Sequence, residues 1–312
     1  MPLTAERAFY GTQSTYSDPG ALAHRYADLP RDPAQLARIT RDLLIHRLED
    51  GFYDHTHPTD RLHNDAETRY IDDTLRILVE RNPAPLTQPR APGDRFVGVC
   101  RDFSLLHCSF LRHLGIPARI RSGFADYFNS PDTDASQLFH SDHVVTEYWA
   151  SDRGCWLLAD SQLTDPVVTV HWNADFDPMD VPRDRFLVAG EAWQAIREGR
   201  ADQETFGLHP PHEGPFWGEW FVAGNIRLDL AALNKVETLL WDVWGEEEEG
   251  GELGGQLPDP AREFYDRVAP VVSGDVSFPA ARELFAKEDS LRTPDTVTSY
   301  APFNGPSRVT LR

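Results

Sequence analysis

Apolar positions along the chain follow two rhythms. Between Asp32-Pro33 and Gly51, the residues Leu36, Ile39, Leu43 and Leu44 recur at three- and four-residue spacing, which marks one buried face of a helix. The Asp-Pro pair is a start signal and the glycine a stop. The segment "AETRYIDDTLRILVERNP" repeats the rhythm up to Asn82-Pro83, and "APLTQPRAPGD" follows as a loop. A third helix is predicted from Cys100 to Leu114, with Phe103, Leu106, Phe110, Leu111 and Leu114 on its apolar side and Gly115 and Pro117 ending it. From Ala118 the period changes to two, so "ARIRSGFADYF", "HVVTEYW" and "CWLLADSQL" are predicted as strands. Helix followed by antiparallel strands predicts an α+β fold. Beyond about residue 175, short helices are expected in "RDRFLVAGEAWQAIREG", "DLAALNKVETLLWDVWG" and "AARELFAKED", separated by loops.

Composition narrows the function classes. With 312 residues and 40% hydrophobic content the chain can bury a full core. A formal charge of −20 argues against nucleic acid or an anionic membrane as a partner, since phosphate binding rests on Lys and Arg counter-charges. The opening "MPLTAERAFYGTQSTYSDPG" has no apolar run of signal-peptide length, and no later stretch reaches the roughly 18 apolar residues of a membrane span, so a cytoplasmic location is expected. The acidic run "EEEEGGELGGQLPDP" lacks the spacing of a calcium loop and reads as solvated. The histidines of "DHTH" (Asp54 to His57), His63 and "HPPH" (His209 to His212) read as surface loops rather than a zinc site. Trp217, Trp220, Trp241 and Trp244 fit a core, although "GPFWGEWF" would also make one wall of an apolar cleft.

Three cysteines, Cys100, Cys108 and Cys155, form neither an even disulfide framework nor paired zinc knuckles, so reduced thiols are expected. Cys108 in "LLHCSFL" and Cys155 read as packing residues. Cys100 could be a buried thiol too, but it stands at a predicted helix start, where unpaired N–H groups and the helix dipole favour a thiolate. Arg101 and Asp102 nearly cancel in sign, so a base must come from elsewhere. His107 lies two helical turns on, about 10 Å along the axis, too far to take the thiol proton. His143 is the better base. If Ser151-Asp152 forms a two-residue hairpin loop, His143 stands directly opposite Asp160, and a longer loop around Gly154 would leave the two as diagonal neighbours. An imidazole to activate the thiol and a carboxylate to orient it complete a Cys100, His143, Asp160 constellation. The N–H of Cys100 is a natural first oxyanion donor.

"GVCRDFSLLHCSFLRHLGIPARIRSGF", followed by "DHVVTEYW" and "WLLADSQL", resembles the transglutaminase-like superfamily of papain-type folds, especially its bacterial members, over roughly residues 95 to 163. In that family a G-x-C-x-D start carries the nucleophile, H-x-W-x-E the base and W-x-x-x-D the orienting aspartate. The resemblance therefore implies the same roles for Cys100, His143 and Asp160. Val145 stands where the family usually has an aromatic, and "ADSQL" replaces the usual D-P-[ST]. The fold it implies sets the nucleophile at a helix N-terminus packed on an antiparallel sheet. Residues 1–94 would form a helical N-terminal part of that domain, 95–190 the catalytic core, and 191–312 a mixed helix and loop extension. The activity it implies is a thiol-dependent hydrolase (peptidase or amidase) or acyltransferase, acting through an acyl-enzyme on a peptide, protein or small-molecule amide or related acyl bond, with no cofactor. The alternatives are a non-catalytic binding or scaffold protein that keeps the fold, and a metal-dependent hydrolase built on the histidine clusters.

Overall fold

The computed structural model describes residues 4–134, 137–245, 254–274 and 276–312; the acidic stretch 246–253, read above as solvated, lies outside the described residues. Helix α1 (Ala5–Tyr10) is followed by α2 (Pro33–Leu43), whose N-cap Asp32 accepts hydrogen bonds from the N–H groups of Ala34 and Gln35 at 2.8 and 3.1 Å. The helix predicted to run on to Gly51 stops here. Leu44 turns extended, and strand β1 (Leu44–His46) pairs in parallel with β2 (Phe96–Gly98). Strand pairing overrides the helical spacing of Leu44 because both strands are fully buried and their backbone groups need partners. Between them lie α3 (Thr59–Asn64) and α4 (Ile71–Arg81). Helix α5 (Cys100–His113) ends where predicted, with Gly115 at φ +74°.

The principal sheet has strand order β5-β4-β3-β6, with β7 added in parallel beside β4. Its strands are β3 (Ala118–Ala125), β4 (His140–Ala150), β5 (Cys155–Ala159), β6 (Phe186–Val188) and β7 (Phe206–Gly207). Helix α5 covers one face, pinned by Ser104 Oγ donating to Val144 O (2.7 Å) and Thr146 Oγ1 donating to Ser104 O (3.1 Å). A four-residue α6 (Pro166–Thr169) follows β5, and α7 (Ala189–Arg197), α8 (Gly218–Leu233), α9 (Asp259–Val272) and α10 (Phe278–Lys287) lie beyond the sheet. A three-stranded sheet, β10-β9-β8, completes the described chain, with β8 (Asp242–Val243), β9 (Thr296–Ala301) and β10 (Gly305–Thr310). This is an α+β architecture in which a helix starting at Cys100 packs on an antiparallel sheet, as predicted. Among the described residues no helix is long and apolar enough to cross a membrane.

Strand β3 is buried on both sides, so its alternation separates two kinds of interior rather than core from solvent. Arg121 meets Asp229 of α8 at 2.9 Å and Glu147 of β4 at 3.1 Å, while Arg119 meets Glu147 at 2.7 Å. The surrounding guanidinium groups overcome burial and hold the Glu147 carboxyl well below the usual carboxylate range. The glutamate that follows His143 in the H-x-x-x-E pattern is thus the hub of an ion network that clamps α8 to the sheet.

Two expectations fail on the flank. The segment 229–245 is not a helix of its own. Its first turn closes α8, which ends at Asn234, and Lys235 at φ +64° redirects the chain toward β8. The 183–199 segment begins as strand β6 and becomes helix only at Ala189.

Candidate active site

Gly98, Val99 and Cys100 form the turn from β2 into α5. Val99 N–H donates to Asp102 Oδ2 (2.9 Å), capping the helix start. A side chain on Gly98 would bring its Cβ to 2.9 Å from that same oxygen, which is why only glycine fits the first position of G-x-C-x-D. Arg101 and Asp102 pair with each other at 3.0 Å and are both buried, so neither charge is directed at the thiol. Cys100 occupies the first helical position, where its N–H has no intrahelical acceptor. The residue is 6% exposed and backed by the apolar cluster of Phe103 and Leu106.

Cys100 acts on His143 on one side, and on the other the imidazole Nε2 lies 2.8 Å from Asp160 Oδ2. That leaves Nδ1 as the nitrogen facing the thiol. Asp160 also accepts from Tyr127 Oη (2.9 Å) and from the N–H of Gln162 (3.0 Å). Phe128 and Tyr127 meet the imidazole edge-on, with centroids at 4.8 and 5.9 Å, and exclude water from it. Burial alone would lower the His143 pKa, but the Asp160 carboxylate and its hydrogen bond, with the Cys100 contact, raise it to about 10.

The structure thus brings Cys100, His143 and Asp160 together, by the longer-loop register rather than by direct opposition. The register of β4 and β5 places Thr146 opposite Ala159 and Ala150 opposite Cys155. The loop spans residues 151–154, with Gly154 at φ +68°, and shifts the pairing by two from direct opposition of His143 and Asp160. Strand β5 ends at Ala159 rather than running through Leu163, and Asp160 caps the short 3₁₀ turn Ser161–Thr164. The carboxylate reaches the imidazole diagonally from beyond the strand.

The other singled-out residues lie elsewhere. His107 is buried against the Pro33 carbonyl (3.2 Å), and burial pushes its pKa down to about 4. The Cys108 thiol is pushed up to about 12 by burial, and Cys155 is half-buried. Among the described residues, no three His, Cys, Asp or Glu side chains gather as a metal-binding group.

Cys100 and His143 open onto a pocket of about 990 Å³. Phe216, Trp220, Trp241, Trp244 and Tyr300 supply aromatic surface from the C-terminal part of the chain, so "GPFWGEWF" does wall the cleft, through Phe216, Trp220 and Phe221. The indole N–H groups of Trp172 and Trp244, both lining the pocket, are buried without a partner. Three polar lining residues were not singled out in the sequence. His46 accepts from Leu48 N–H at Nδ1 (3.2 Å), which leaves its ring proton on Nε2, and burial with nearby Arg47 and His143 keeps it neutral. Asp142, next to His143 in β4, has its carboxyl pushed up to about 6 by burial. Arg47 follows β1. A histidine and an arginine inside a predicted helix gave no signal of this placement.

Residues 66–161, the stretch that contains Cys100, His143 and Asp160, match the Transglutaminase-like superfamily, so this segment carries the transglutaminase-like core recognised in the sequence. Among solved structures, the chain is similar to a "putative cysteine protease" from Cytophaga hutchinsonii, with 16% identity and a TM-score of 0.32 over 55% of this chain and 46% of that one. It is also similar to red sea bream transglutaminase, with 18% identity and a TM-score of 0.28 over 43% of this chain and 22% of that one. The chain therefore spans less than half of either protein. No curated protein matches it.

Proposed function

We propose that the protein is a cysteine-nucleophile enzyme that opens an amide or related acyl bond, with Cys100 as nucleophile, His143 as proton carrier and Asp160 as its orienting carboxylate. The observation that carries this reading is the continuous thiol, imidazole and carboxylate chain ending at the floor of a large apolar pocket. The superfamily match over the segment holding all three residues supports it.

A His143 pKa raised to about 10 means that the imidazole holds a proton near neutrality, and an adjacent imidazolium favours a thiolate. With its proton passed to His143, the Cys100 sulfur attacks the carbonyl carbon. The N–H of Cys100 meets the developing oxyanion, and the Nε2–H of neutral His46 is a further donor on the same wall. As the carbon–nitrogen bond breaks, His143 gives its proton to the leaving amine and a thioester remains on Cys100. Now neutral, His143 takes a proton from water or an incoming amine, which attacks the thioester and restores the thiolate. Water makes the protein a hydrolase and an amine makes it an acyltransferase; every earlier step is shared.

Intact-mass analysis after brief exposure to limiting iodoacetamide between pH 5 and 9 tests the reading. The expected result is a single rapid adduct near neutrality that is absent in Cys100→Ala and slow in His143→Ala. Labelling of Cys100 no faster than that of Cys108 or Cys155 would sink the proposal in favour of a scaffold.

A further inference from the structure

We propose that the pocket selects an acyl substrate bearing a carboxylate close to the scissile carbonyl, and that Arg47 binds that carboxylate. The inference rests on Cys100 being the nucleophile and adds the substrate class.

Arg47 is anchored where such a contact would matter. Its N–H donates to Gly98 O (2.9 Å), tying it to the turn that delivers Cys100 into the pocket. Its guanidinium is held by rings rather than by acids, 5.1 Å from the Trp241 centroid and 5.9 Å from that of Phe303. Among the described residues it has no side-chain hydrogen bond and no carboxylate at ion-pair distance. The fully buried arginines differ from this half-buried one: Arg41 meets Glu49 at 2.7 Å, Arg112 meets Glu237 at 2.9 Å and Arg121 meets Asp229 at 2.9 Å. A half-buried cation with no ion-pair partner has lost part of its hydration without compensation, and burial does lower the Arg47 pKa, against the opposing pull of Cys100 and Asp142. An arriving anion removes that penalty, and a planar guanidinium matches a carboxylate with two parallel hydrogen bonds.

The surroundings choose among anions. Asp142 lines the same pocket, and among the described residues its carboxylate has neither a hydrogen bond nor an ion pair; its charge and that of Arg47 are within electrostatic reach of each other. One guanidinium beside a carboxylate, on a chain of net charge −20, suits a monoanion and disfavours a phosphate dianion. The remainder of the substrate then lies along Trp220 and Trp244, where apolar or aromatic groups are favoured.

Two alkylating reagents of nearly the same size test this at Cys100. Iodoacetate carries a carboxylate and iodoacetamide does not. An ordinary thiolate repels the charged reagent and reacts with it more slowly. Here iodoacetate is expected to outpace iodoacetamide by about tenfold, the scale of one charge-assisted contact, and to saturate with concentration. The ratio of the two rates cancels any change in thiolate fraction. It should fall below one in Arg47→Gln and recover in part in Arg47→Lys. A wild-type ratio below one, or a ratio that Arg47→Gln leaves unchanged, overturns the proposal while a fast iodoacetamide reaction still upholds the nucleophile. Binding to the Cys100→Ala protein, read by tryptophan fluorescence, decides the matter without the thiol. 3-Phenylpropanoate should bind about tenfold more tightly than 3-phenylpropanamide, and Arg47→Gln should abolish the difference; equal binding of the two to Cys100→Ala counts against Arg47 whatever the thiol does.

Discussion

The pocket has two walls of different chemistry. The one built from residues 46–172 carries the thiol, two imidazoles, an unpaired guanidinium and an unpaired carboxylate: Cys100, His46, His143, Arg47 and Asp142. The other, from residues 208–306, is mostly rings and aliphatic surface, and its charged groups are already engaged: Asp242 meets Arg69 at 2.6 Å, and Arg227 donates to the Trp244 carbonyl (2.7 Å). On the proposed reading, chemistry and recognition of charge are confined to the first wall, and the second can shape apolar preference without touching the reacting atoms. Substitutions on the two walls should therefore move different observables.

The largest effect is expected on the first wall. Asp160→Asn keeps an oxygen that can still accept from Tyr127 or Gln162, but it removes the negative charge that holds His143 protonated and oriented. Acylation by p-nitrophenyl acetate, followed as release of p-nitrophenolate, should slow by about 10³- to 10⁴-fold. A loss of less than tenfold would show that Tyr127 and the Cys100 contact suffice to place the imidazole, and that the carboxylate belongs to the architecture rather than the chemistry.

The same division governs what could be read in the sequence. That Cys100, His143 and Asp160 come together was legible because the chemistry proposed for them demands particular residue types, and the helix start and the hairpin restrict where they can sit. The exact register was not, because a four-residue loop with Gly154 in the left-handed region shifts the pairing while leaving a diagonal contact in reach. His46 and Arg47 were hidden by a misread element: Leu44 has helical spacing, yet it pairs with Phe96 in a strand, a choice made by a partner fifty residues away. Helix α8 was misplaced for a different reason. It is packed between the sheet and neighbouring helices, with Val222, Ile226, Leu230 and Leu233 buried and Trp220 and Phe221 half-buried toward the pocket, so apolar residues surround it and no single stripe stands out. In β3 the alternation of Arg119 and Arg121 with apolar positions separates α5 on one face from an ion network on the other.

A smaller and separable effect is expected in stability against pH. The folded pKa of His143, about 10, lies above the 6.5 of an unfolded histidine. Its contribution is therefore complete below pH 6.5 and is lost as pH rises through about 10, at up to about 1.4 kcal/mol per pH unit. Lys235, lowered by burial to about 8, acts in the opposite sense over part of this window. The difference in urea-unfolding free energy between wild type and Asp160→Asn isolates the histidine. It should shrink steadily between pH 6.5 and 10; a constant difference would mean that the imidazole is neutral in the folded protein and that no ion pair exists at rest.

The smallest effect belongs to the aromatic wall. Trp220 is half-buried in the first turn of α8 and faces the pocket beside Phe216, with ring centroids 6.2 Å apart. Removing its ring takes apolar contact from the substrate and leaves the reacting groups in place. Wild type should acylate faster with p-nitrophenyl phenylacetate than with p-nitrophenyl acetate, and Trp220→Ala should cut that preference by about tenfold while leaving the acetate rate within about twofold, as expected for the loss of one ring contact. An equal fall on both esters would mean that Trp220 also holds α8 against the nucleophile's wall. In that case the two walls are one mechanical unit, and apolar preference cannot be altered without disturbing the thiol.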